Sequence, residues 1–192
     1  MPSSPVEQLA GSLEDIGKLI EGVRDEQWEQ PTPCVAWSVR DLVNHLILGD
    51  HLFARVLLGD SPSTVPTSTK QLPDQGAAAY RESADALVAA FSSPGVLERV
   101  VTVPFGTVPG VVALHLRLVE ALVHGWDLAR ATGQLPRCDE ELAEQELEFT
   151  RAKLAEVPPE RSPFGPPRPV AQDAPALDRL VARLGRDVDA PG

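Results

Sequence analysis

Apolar residues fall on helical spacing along most of the chain. Val6, Leu9, Leu13, Ile16, Leu19, Ile20 and Val23 recur at three- and four-residue steps, so they line one face of an amphipathic helix that ends near Gly22. The connector from Trp28 to Cys34 contains Pro31 and Pro33, which remove backbone donors and disfavour helix in the residues before them. A second helix has a well-marked start. Ser38 suits the N-cap, and Asp41 sits where its carboxylate can receive the cap's own N–H, with Trp37 and Leu42 placed as a hydrophobic staple. Its apolar stripe runs through Leu42, Val43, Leu46, Leu48, Leu52, Phe53 and Val56 to about Leu58, where Gly59 stops it.

Beyond this point, Ser61 to Pro73 reads as a polar loop, and a third helix is predicted from about Gln75 to Phe91. The β-branched run Val100 to Val103, followed by Pro104 to Gly110, reads as a small extended or hairpin element. The longest helix follows, from about Val111 to Ala131, with Gly133 beyond its end. A more acidic one spans about Asp139 to Leu154. Prolines crowd the stretch from Pro158 to Pro175, which implies either an ordered wrapping segment or a mobile lid, and a short helix from about Ala176 to Leu184 is placed to dock after it. These elements predict an all-α fold: an antiparallel-type four-helix bundle in one domain over 1–192, with a proline-rich tail at 157–192 packing on it.

Composition narrows the class. The chain has 192 residues, of which 43% are hydrophobic and 23% charged, which fits a soluble globular protein and not a disordered one. Seventeen basic residues stand against 28 acidic ones, for a formal charge of −11, so no basic stripe is available for nucleic-acid phosphates. No apolar run is long enough to span a bilayer, and the N-terminus lacks the basic start and apolar stretch of a secretory signal. Cys34 and Cys138 lie far apart, which suggests reduced thiols and a cytoplasmic location. The expected partners therefore exclude nucleic acid and membrane.

The residues able to carry chemistry lie on the second and fourth long helices. Glu120 and His124 are four positions apart and project from one face, among Leu116, Val119, Val123 and Leu128. His45 is set among Leu42, Leu46 and Leu48, so a bundle can bring it opposite that pair. Two imidazoles and one carboxylate form the ligand set of an open catalytic zinc site, and a buried carboxylate calls for a partner or a cation. The alternative is structural: Glu120 pairing with Arg117 one turn earlier, and His124 hydrogen-bonding within the core. His51 and His115 fall off these faces. Asp127 is placed either as an acceptor behind His124 or as a partner of Arg130, with the second reading favoured. Arg117 and Arg130 are expected in solvated salt bridges, Cys34 in packing, Cys138 as a spectator, and Trp37 and Trp126 in the core.

Two longer strings carry a resemblance. Residues 31–46, Pro-Thr-Pro-Cys-Val-Ala-Trp-Ser-Val-Arg-Asp-Leu-Val-Asn-His-Leu, resemble the opening motif of the mycothiol-dependent maleylpyruvate isomerase N-terminal-domain family. Residues 117–133, from Arg117-Leu118-Val119-Glu120 through His124-Gly125-Trp126-Asp127 to Gly133, resemble its second motif. Both motifs resemble those of the wider DinB/YfiT-like superfamily of metal-binding four-helix bundles. The tail, with Phe164-Gly165-Pro166-Pro167 and Ala174 to Leu180, is similar to a single-domain actinobacterial branch. The resemblance implies His45, Glu120 and His124 as metal ligands. It implies a divalent ion, zinc first with nickel, iron or manganese as alternatives, and in some members a low-molecular-weight thiol such as mycothiol. The activity implied is a metal- and thiol-dependent S-transferase or isomerase acting on a small-molecule electrophile. The alternatives are a metal-dependent hydrolase and a metal- or small-ligand-binding protein without turnover; a homodimer is also compatible. The two-domain isomerase has a further C-terminal domain where this chain has its proline-rich tail.

Overall fold

The structure is a computed structural model that describes residues 3–35, 37–62, 76–104, 106–156 and 164–190. The predicted elements are present in the predicted order. They are α1 (Pro5–Glu21), α2 (Val39–Leu57), α3 (Ala77–Phe91), β1 (Val100–Val103), β2 (Gly106–Pro109), α4 (Gly110–Thr132), α5 (Glu140–Ala155) and α6 (Ala176–Arg183), with one short 3-10 turn at Asp25–Gln27. Residues 63–73 of the predicted polar loop, Gln75 at the predicted start of α3, and Pro158, Pro159 and Pro163 lie outside the described residues.

Local chemistry sets the helix ends. The capping box foreseen at Ser38 is formed: the Asp41 N–H donates to Ser38 Oγ at 3.2 Å, and the Ser38 N–H donates to Asp41 Oδ2 at 3.1 Å. Ser4 and Glu7 make the same exchange at the head of α1. Each such cap contributes about 1 kcal/mol. Helix α4 ends where Gly133 turns into the left-handed region at φ 69°, a conformation that costs glycine little. At its other end α4 has no side-chain cap. Its first two N–H groups donate instead to Arg99 O at 2.7 Å and Leu97 O at 2.9 Å, in the segment leading into the hairpin.

The first four helices pack in a ring, with α1 touching α3 and α4, and α2 touching the same two. This is the all-α helical bundle the periodicity predicts, of the DinB-like kind that the resemblance implies. Leu42 and Leu46 on α2 and Leu118 on α4 are fully buried within it. Truncating any one of them to Ala would cost about 2–5 kcal/mol. β1 and β2 form an antiparallel hairpin, registered Val100 to Pro109 and Val103 to Gly106, that feeds directly into α4. Helices α5 and α6 pack on each other and against α4. Phe164 packs against the core, and the Arg168 N–H donates to Ala182 O at 2.9 Å, so this part of the proline-rich segment is tied to α6.

Candidate metal centre

Because α2 and α4 are neighbours in the ring, His45 meets the polar pair on α4. His45 Nε2 lies 3.1 Å from Glu120 Oε2, and His124 Nε2 lies 3.5 Å from the same oxygen. One donor atom from each of the three residues falls within 4.8 Å of the others. The side chains are graded in exposure, at 31% for His45, 16% for Glu120 and 7% for His124, so the cluster faces outward on the α2 side.

The donor set fits a small divalent cation. Ligands about 2.1 Å from one zinc ion at tetrahedral angles stand about 3.4 Å apart, and the two measured separations fall on either side of that distance. The arrangement behind His124 fits as well. Its Nδ1 lies 3.0 Å from Asp127 Oδ2, and Asp127 is completely buried. An Nδ1–H donated to a carboxylate holds the ring in the tautomer whose Nε2 lone pair can take a metal. Asp127 is in turn gripped by Arg186, whose Nε donates to Oδ1 at 3.2 Å and whose Nη2 donates to Oδ2 at 2.8 Å.

Without a cation the charges lean on one another. Burial pushes the Glu120 carboxyl up. The bonds from His124 and His45 and the nearby Arg117 charge outweigh this and hold it well below the usual carboxylate range. Burial pushes the His124 imidazole down, but its bonds to Asp127 and Glu120 dominate and raise it to about 9. His124 is therefore protonated at neutral pH in the metal-free chain, and a cation at Nε2 would take the place of a proton.

The loop before α2 roofs the cluster. It closes on itself through the Thr32 N–H to Trp37 O at 3.0 Å and a bridge between Pro31 and Ser38. Trp37 is half-buried, with its ring centroid 4.4 Å from that of His45 and 5.8 Å from that of His124. Trp37 packs against the core as expected, and it also lies on the two imidazoles. Trp126 is buried as expected, at 3% exposure. Cys34 is half-buried with its Sγ within 4.8 Å of donors from His124 and Asp127. Burial, with Asp127 and Glu120 adding to it against Arg186, pushes its thiol up to about 11.

Other expectations need correction. Arg117 is not solvated. It is 2% exposed and donates to the buried Asp50 at 2.6 Å, while standing 3.8 Å from Glu120. Asp127 does not pair with Arg130, which lies over the Trp126 ring and donates to the carbonyls of Val188 and Ala190. His115, off the ligand face as foreseen, meets the buried Glu146 of α5 at 2.8 Å. Asp50 was missed although the signal was present: it stands four residues after Leu46 and three before Phe53, within the apolar stripe. Arg186 was missed because it is 59 residues from Asp127 and no local pattern links them.

The fold and the cluster together define a DinB-like helical bundle with a His-Glu-His constellation between two helices. Comparison with known proteins agrees on the fold and gives the family. The mycothiol maleylpyruvate isomerase N-terminal domain profile matches residues 9–129, and the chain belongs to that family. Two uncharacterized proteins of Mycobacterium tuberculosis, one from each of two strains, are 36% identical over 171 residues, spanning 88% of this chain and 91% of theirs. Among solved structures, a mutant of the mycothiol-dependent maleylpyruvate isomerase superposes with a TM-score of 0.63 at 15% identity, covering 74% of this chain and 66% of that one. A DinB-like protein of Bacillus subtilis superposes with a TM-score of 0.56 at 18% identity, covering 71% of this chain and 95% of that one. This chain therefore spans just under two thirds of the isomerase. Among the described residues, no helix is long and apolar enough to cross a membrane.

Proposed function

We propose that the chain holds a divalent cation, zinc first with nickel, iron or manganese as alternatives, on His45, Glu120 and His124. We propose that it uses the cation to join a low-molecular-weight thiol of the mycothiol type to a small electrophile, as an S-transferase or isomerase. The observation that carries this reading is the convergence of the three donors from two separate helices, with the buried Asp127 fixing His124 from behind. Membership of a family named for a mycothiol-dependent isomerase supports the thiol.

A cation held by His45, Glu120 and His124 would supply Lewis acidity that lowers the pKa of a thiol. The protein's own groups prepare the site. Glu120 stays ionised and contributes the negative charge that retains a dication. Asp127 accepts the Nδ1 proton of His124, and Arg186 keeps Asp127 ionised and oriented. Trp37 packs on the two imidazoles and limits how their rings can turn. Burial raises the Cys34 thiol in the metal-free chain, and in this proposal the reacting thiol is a cosubstrate. In transfer, its sulfur bonds to carbon and its proton passes to the displaced or adjacent atom. In cis–trans isomerisation the sulfur adds to one carbon of the double bond, the resulting single bond rotates, and the sulfur leaves as the double bond reforms.

The test is metal analysis by mass spectrometry of protein from native expression beside its His124→Ala variant. Close to one ion per chain is expected in the parent, and less than about a tenth of that in the variant. Equal content in the two overturns the reading.

A further inference from the structure

The C-terminal segment meets the candidate metal centre from two sides. Its helix, α6, is firmly seated. Leu180 and Val181 are fully buried, the Ala176 N–H donates to Glu140 Oε1 at 2.8 Å, and Trp126 Nε1 donates to Asp178 Oδ1 at 3.2 Å. An arm of irregular chain flanks this helix on each side. The first, residues 164–175, begins at Phe164. That ring is one wall of a cleft of about 210 Å³ between α4 and α5, and Glu120 lines the same cleft. The second arm, residues 185–190, carries Arg186, which grips Asp127 behind His124.

The two arms meet where α6 ends. Ala182 O accepts from the Arg168 N–H at 2.9 Å and from the Gly185 N–H at 3.1 Å, one donor from each arm. Gly185 adopts φ 90°, and a methyl group added there would come within 3.1 Å of Gly165 Cα. Phe164 and Arg186 each adjoin one of these crossing glycines, so their seats are joined through a single backbone contact. Pro166, Pro167 and Pro169 fix φ along the first arm and stiffen it. Arg130 pins the far end of the second arm through the carbonyls of Val188 and Ala190. Neither arm has helix or strand of its own, and such segments open locally while the rest of a protein stays folded.

We propose that the two arms form a strap locked by the metal centre. An ion on His45, Glu120 and His124 holds Arg186 on Asp127 and, through the glycine crossing, holds Phe164 in the cleft wall; loss of the ion frees both. The proposal rests on the metal reading above and adds a conformational response to it. The coupling follows from reciprocity: whatever factor the docked arm adds to ion affinity, the bound ion adds to docking of the arm. Support behind a ligating histidine is worth about tenfold or more in affinity, so the ion shifts the strap toward its docked state by about the same factor. The metal-free chain then has the more open cleft beside Glu120.

The experiment is amide hydrogen exchange by NMR on the full chain, zinc-loaded and metal-stripped, with 4-fluorophenylalanine placed at Phe164 in a parallel sample. Zinc is expected to slow exchange of the Arg168 and Arg186 amides about tenfold. The Ser92 amide, which closes α3 on Val88 O at 2.9 Å, is expected to be unmoved. The fluorine resonance is expected to lose solvent-isotope sensitivity when zinc binds. Arg186→Ala should abolish the zinc effect at Arg168 and at the fluorine label, with Arg186→Lys restoring part of it. Gly185→Ala removes no ligand, yet it should speed Arg168 exchange and weaken zinc as Arg186→Ala does, with circular dichroism unchanged. Gly165→Ala, whose methyl would stand an ordinary 3.8 Å from Gly185 Cα, should behave as the parent. Bound zinc without slowing at Arg168 overturns the strap alone. So does slowing that is equal at Ser92, or that persists in Arg186→Ala. A chain that takes no zinc overturns the metal centre and the lock with it.

Discussion

Two clusters of buried charge lie within two turns of each other on α4, and they are built differently. In the first, Arg117 is 2% exposed and meets Asp50, which is fully buried and also accepts from Ser83 at 3.2 Å. The guanidinium is bonded to Asp50 and only approaches Glu120, at 3.8 Å, while the Phe53 ring lies 5.3 Å from it. In the second, Glu120 and Asp127 share His45, His124 and Arg186, several donors converge on one oxygen, and His45 is nearly a third exposed. Burial of charge alone therefore does not mark function on this helix. What distinguishes the second cluster is convergence of lone-pair donors together with an opening to solvent.

That contrast can be broken by mutation, and the sealed pair should give the largest effect. Asp50→Ala leaves the Arg117 guanidinium buried without its partner, and a loss of about 3–5 kcal/mol in unfolding free energy is expected by chemical denaturation. The folded fraction should retain its metal content, because none of the three proposed ligands is removed. If Asp50→Ala folds as stably as the parent, the sealed pair is not the structural element described. Next in size is the support behind the open cluster. Arg186→Ala should weaken zinc binding by about tenfold in chelator competition, with Arg186→Lys recovering part of it. Unchanged affinity in Arg186→Ala would mean that Asp127 holds His124 without help.

The smallest effect sharpens the contrast by excluding the protein's own thiols. Burial is the main cause that lifts Cys34 to about 11 and Cys138 to about 12. A raised thiol pKa means less thiolate at a given pH, so both should alkylate slowly at pH 8, at less than about a hundredth of the rate of a free thiol. Both rates should go on rising above pH 10, where an ordinary cysteine has levelled off. Fast alkylation of Cys34 at neutral pH would place a nucleophile beside the cluster and contradict the cosubstrate role of the thiol.

Much of this was legible from local pattern. The Ser38 to Asp41 capping exchange, the stripe that sets His45 inward and the four-residue step from Glu120 to His124 all act within one or two helical turns, where spacing determines geometry. Arg117 was misplaced because a charged residue was assumed to seek solvent, although Leu114 and Ala121 put it on the buried stripe. Its partner, Asp50, sits on the corresponding stripe of α2, and two such residues on facing stripes are a detectable signal. The grip of Arg186 on Asp127 and the cleft between α4 and α5 depend on chain segments that pack only in the folded protein. Both also involve residues beyond the stretch matched by the family profile, so neither spacing nor motif announces them.

The start of α4 carries a consequence for the whole centre. A methyl group added at Gly110 would come within 2.0 Å of Val96 O, so no side chain fits where the hairpin hands over to the helix. That tight seat fixes the rotational phase of the rod at its first residue. Each residue of slip would turn everything downstream by about 100° and move it about 1.5 Å along the axis. The aim of Glu120 and His124, roughly 15 Å and 21 Å further on, is thus decided at a position that bears no functional group at all.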